Sequence, residues 1–98
     1  MAAASQGWHE NEQSLSSRTK DLHRAIVSLQ EELEAVDWYQ QRFDATEDPE
    51  LKAILAHNRD EEVEHAAMTL EWIRRHNEAF DHELRATLFK DGPITGQH

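Results

Sequence analysis

From Leu51 onward, positions 55, 58, 62, 65, 69 and 72 recur at alternating steps of four and three, the period of one helical face turned toward other helices. Leu51, Leu55 and Trp72 suit a core. Asn58, Glu62 and His65 interrupt that core at its centre, where a carboxylate persists only when it is paired, hydrogen-bonded or metal-bound. An earlier stripe, Leu22, Ile26, Leu29, Leu33, Val36 and Phe43, keeps the same steps, with Gln40 breaking the series. No glycine or proline falls between Gly7 and Pro49, or between Pro49 and Gly92, so two long helices are free to form. The first is expected from about Ser16 to Phe43. The second is expected to start at Asp48-Pro49-Glu50, an N-cap, a first-turn proline and an acid matched to the helix dipole, and to end near His76 after Arg74 and Arg75. Phe80, Leu84 and Leu88 predict a shorter helix over 78–90, stopped by Gly92-Pro93.

The expected architecture is all-α: an antiparallel two-helix hairpin plus a short C-terminal helix. Residues 15–91 form the helical domain, with a flexible N-terminal segment 1–14 and a flexible end 92–98. A chain of 98 residues holds one small domain, and a lone helix pair leaves one side of its apolar stripe in water. Self-association into a four-helix bundle is the expected remedy.

Charge narrows the partners. With 20 acidic residues against 10 lysines and arginines, the net charge of −10 favours cations and argues against nucleic acid or an anionic membrane. Cysteine is absent, which excludes disulfides and thiolate metal sites. Residues 1–12 lack a signal-peptide pattern, and no apolar run approaches the roughly 20 residues of a membrane span. A cytoplasmic protein is the expectation.

Glu62 and His65 form a Glu-x-x-His motif, and Glu32 on the first helix is its natural partner. In a hairpin turning near residue 46 or 47, Glu32 and Glu62 both lie about 22 Å from the turn, at 1.5 Å per residue. Carboxylate-bridged di-iron bundles take a Glu from each of two helices and Glu-x-x-His from each of two others. One chain supplies half of that set, and a two-fold pair of chains completes it. Such ligands favour iron or manganese over copper, and zinc could also fill the site; only a redox metal would make it an oxidase. The alternative is a buried hydrogen-bond layer that fixes register in a helical dimer. His57, Glu61 and Glu64 share an outward stripe that could hold a divalent ion such as Ca²⁺ or Zn²⁺, or simply face solvent. Trp38 and Tyr39 read as core or interface aromatics. His9, His23, His76, His82 and His98 read as surface residues.

The runs EELEAVDWYQQR (31–42) and ILAHNRDEEVEHAAMTLEWIRR (54–75), followed by LFKDGPI (88–94), closely resemble the encapsulated ferritins, the ferritin-like cargo of encapsulin nanocompartments. The resemblance covers roughly Leu22 to Ile94. It implies a ferritin-like homodimer with a di-iron ferroxidase site between protomers, oxidising Fe²⁺ with O₂ for iron storage. Glu32, Glu62 and His65 would match the ligands, with Trp38 and Tyr39 beside the site. Glu31 and Glu34 would match carboxylates near its entrance, although by themselves they read equally well as a solvated acidic face. Dimers of the family join into an open ring of ten chains. Family members usually end in a peptide that docks inside the encapsulin shell. The sequence ends at His98 without one, so encapsulation is an expectation from resemblance alone.

Overall fold

The computed structural model describes residues 7–95, and within them every regular element is helical. Helix α1 spans Ser17–Ala45, α2 spans Pro49–His76 and α3 spans Glu78–Thr87. The Ser16 side chain accepts from the Thr19 amide and caps α1, which ends as Thr46 turns extended. Three residues, 46–48, make the turn. Asp48 then accepts from the Leu51 amide at 3.1 Å ahead of Pro49, the start that the sequence predicts. Asn77 separates α2 from α3 and caps the latter by accepting from the Phe80 amide at 2.9 Å.

Two ends differ from expectation. Helix α3 closes at Thr87, three residues short of Lys90, and Gly92-Pro93 does not terminate it. Leu88 is extended and Phe89 sits in the left-handed region at φ 59°, so the backbone has turned away before the glycine. Within the segment expected to be flexible, residues from Gly7 make defined contacts: Glu12–Ser14 form a 3₁₀ turn, and Trp8 lies against His23 with ring centroids 4.7 Å apart. Residues 1–6 and 96–98, including His98, lie outside the described residues.

Helices α1 and α2 pack antiparallel, with Phe43 meeting Lys52 and Gln40 meeting Arg59 further from the turn. Helix α3 packs on α2 through a polar cluster. Arg74 grips Glu71 with two nitrogens, at 2.8 and 2.7 Å, and also donates to Asp81 of α3. Arg75 adds a bond to Glu71 and Arg85 one to Asp81. Hydrogen bonds from Arg74 and Arg75 hold the Glu71 carboxyl down to about 2, Arg74 likewise lowers Asp81, and the two carboxylates raise Arg74.

The core of the single chain is thin. Among the described residues Leu55, Ala66 and Ile73 form it, all on α2, and no residue of α1 is fully buried. The radius of gyration is 17.0 Å, against about 13 Å for a compact chain of this length. Leu51 and Trp72, which suit a core in the sequence, are 42% and 36% exposed. The seam with α1 instead uses 55, 62, 66 and 73, and a separate exposed stripe runs through Leu51, Ile54, Met68 and Trp72. At 100° per residue the two stripes lie about a quarter turn apart around α2. No helix among the described residues is long and apolar enough to cross a membrane.

Candidate metal centre

Glu62 and His65 straddle the border between those stripes. Glu62 falls with Leu55, Ala66 and Ile73, and its side chain is 27% exposed; His65 falls with the outer stripe at 45%. His65 Nδ1 stands 3.3 Å from Glu62 Oε1. That separation makes a weak hydrogen bond, and it equally suits two donors on one cation at bond lengths near 2.1 Å. On α1, Glu32 Oε1 is buried with no hydrogen-bond partner. A buried carboxylate oxygen without a donor is costly, and a cation or a donor from another chain would relieve it.

The donors fit a hard or borderline cation: carboxylate oxygens and one imidazole nitrogen. Among the described residues, no three His, Asp or Glu side chains gather closely enough in one chain to hold a metal. A single copy therefore brings Glu62 and His65 together and leaves Glu32 unsatisfied.

The weaker candidates separate. Glu34 Oε1 is also buried and unpartnered, which sets it apart from a solvated acidic face, whereas Glu31 lines an open hollow with His23, Arg24, Val27 and Ser28. His57 Nε2 lies 3.3 Å from Glu61 Oε1, and both are well exposed, as is Glu64. This pair looks outward, as expected. The Arg42 guanidinium lies 5.8 Å from the Trp38 ring and 5.5 Å from that of Tyr39, both half-buried on α1. His76 stacks on Trp72 at 4.0 Å, and its Nδ1 is 2.8 Å from the Trp72 carbonyl. Arg59, one helical turn before Glu62, lies off the periodic stripe yet reaches α1. Its signal was present in Gln40, the polar break in the α1 stripe, which accepts from Arg59 Nη1 at 2.8 Å.

A family model described as EncFtn-like matches residues 7–91. The "Encapsulated ferritin-like protein" of Rhodospirillum rubrum is 62% identical over 95 residues, covering 97% of this chain and 68% of that protein. The "Encapsulin nanocompartment cargo protein EncC" of Myxococcus xanthus is 45% identical over 56 residues, 56% of this chain and 43% of that one. The crystal structure of protein ne0167 from Nitrosomonas europaea superposes with a TM-score of 0.87 at 64% identity, covering 93% of this chain and all of that one.

Proposed function

The chain belongs to the EncFtn-like family, and from that premise we propose that two copies join across the outer stripe of α2 to form a ferroxidase. The observation that carries this reading is the buried, unpartnered Oε1 of Glu32 in a chain whose Glu62 and His65 border an unfilled apolar face. A two-fold pair would unite Glu32, Glu62 and His65 with their counterparts, giving four carboxylates and two imidazoles for two Fe²⁺ ions. Each Fe²⁺ would give one electron, so that two Fe²⁺ and two protons from solvent reduce one O₂ to hydrogen peroxide and two Fe³⁺ are the product.

The side chains have distinct tasks. Glu32 and Glu62 bind and partly neutralise the cations, and His65 ligates as neutral imidazole. Trp38 and Tyr39, as the aromatics beside the site in the resemblance, would shield the centre from water. The net charge of −10 concentrates Fe²⁺ near the protein, an attraction that salt weakens. Cargo status in an encapsulin shell is part of the proposal, supported by the names of the Rhodospirillum and Myxococcus relatives. Further association of dimers into a ring would cover the exposed Phe80, Leu88 and Phe89.

The test is stopped-flow absorbance of aerobic Fe²⁺ oxidation by metal-free protein, scored against the protein-free rate. Wild type should exceed that rate, and Glu62→Ala and His65→Ala should each return to it. A wild-type rate equal to buffer would leave a metal-binding or structural helical dimer in its place.

A further inference from the structure

Helix α2 carries two apolar stripes about a quarter turn apart, and apolar packing alone chooses poorly between them. One holds Leu55, Ala66 and Ile73; the other holds Leu51, Ile54, Met68 and Trp72. If α2 rolled by that quarter turn, the outer stripe would face α1 and His65 would replace Glu62 at the seam. Hydrophobic burial is non-directional, so something directional must set the roll.

Two cations supply direction. Arg59 and Lys52 lie on the flank of the inner stripe away from the outer one, and both reach α1. Arg59 donates to Gln40 Oε1 at 2.8 Å, and its guanidinium lies 5.3 Å from the Phe43 ring. Lys52 donates to the Phe43 carbonyl, with its ammonium 4.2 Å from the same ring. Gln40 is itself held by its amide donating to Asp44 Oδ1 at 3.0 Å. These are the side-chain hydrogen bonds between α1 and α2 that the described residues show. The short turn at 46–48 limits sliding of the hairpin and does not by itself choose between the two stripes.

We infer that Arg59, with Lys52, is a positioning residue: by clasping Gln40 and Phe43 it sets the roll of α2, keeping Glu62 at the seam with Glu32 and His65 on the face offered to a second chain. The inference rests on the reading of Glu32, Glu62 and His65 as ligands only for its effect on iron. The roll itself is a property of the hairpin.

The test uses Arg59→Met, which keeps length and apolar bulk, Arg59→Lys as the conservative rescue, and Gln40→Leu as a second route to the same break. The chain has no cysteine, so spin labels can be placed solely at Gln30→Cys and Ala53→Cys, both exposed positions. Pulsed EPR on labelled chains diluted into unlabelled protein then reads the intrachain distance. With Arg59→Met or Gln40→Leu the distribution should broaden or shift by several ångström, and Fe²⁺ oxidation should fall about ten- to a hundredfold. Arg59→Lys should recover much of both. Distances unchanged from wild type in both breaking variants would overturn the inference whatever the iron chemistry. A changed distance with an unchanged oxidation rate would overturn the positioning role. Wild-type protein that fails to oxidise Fe²⁺ would defeat the proposed function instead, while the EPR result still decides the roll.

Discussion

The inner and outer stripes of α2 are made of similar side chains on one helix, yet they have opposite fates. Ile73 is 1% exposed and its neighbour Trp72 is 36% exposed. One stripe is satisfied within the chain. The other cannot be, because a two-helix hairpin covers about one side of each helix and α3 reaches only the end of α2. Glu62 and His65, the proposed ligands, sit where the stripes meet. The difference teaches that one helix can carry both a stripe that serves the stability of the chain and a stripe left for a partner, with the proposed ligands on the line between them.

That division can be broken from either side. Ile73→Ala removes the most buried side chain and should lower unfolding free energy by about 2–5 kcal/mol in urea titration. The outer stripe should behave differently. Trp72→Ala should leave the helical content of the isolated chain near wild type but weaken self-association by about 2 kcal/mol, roughly thirtyfold in dimer dissociation constant by sedimentation. Equal loss of fold and association in both variants would erase the distinction. Asp48→Ala, which removes the cap of α2 without touching either stripe, should cost about 1 kcal/mol of stability and leave association unchanged at matched folded fraction.

The smallest effect concerns the attachment of α3. Glu71 and Asp81 are both held below their ordinary values by Arg74. A carboxyl depressed in the folded state stabilises that state above its unfolded pKa and loses the contribution as pH falls through the folded value. Asp81 is the carboxylate that ties α3 to α2, so docking of α3 should hold at pH 7 and weaken once pH falls below the ordinary Asp value of about 3.9. Backbone chemical shifts of α3 would follow it. A transition centred near pH 6 would point to a histidine instead.

Much of this was legible in the sequence because it is written in local chemistry. Asp48-Pro49 fixes the start of α2 through a side-chain bond three residues away, so residue types suffice to find it. The Glu-x-x-His pair is likewise local, and its 3.3 Å separation follows from one helical turn. The resemblance to encapsulated ferritins also stands, since the family model spans most of the chain. Less legible was which face of α2 meets α1. A stripe through 51, 58, 65 and 72 and one through 55, 62, 66 and 73 both fit a helical period, and their order is set by Arg59 and Lys52 reaching another helix. The end of α3 was missed for a related reason. Leu84 and Leu88 keep the spacing of a helix, and the Leu88 amide still bonds the Leu84 carbonyl at 2.9 Å, but the left-handed Phe89 has no signature in residue type.

The border position of Glu62 and His65 also has a consequence in time. If each centre needs two chains, its number rises with the square of chain concentration when copies are scarce, and linearly once they are paired. A newly made, solitary copy would be chemically silent. Activity per chain would then report crowding among copies, so dilution alone would switch the protein off without any change to a single residue.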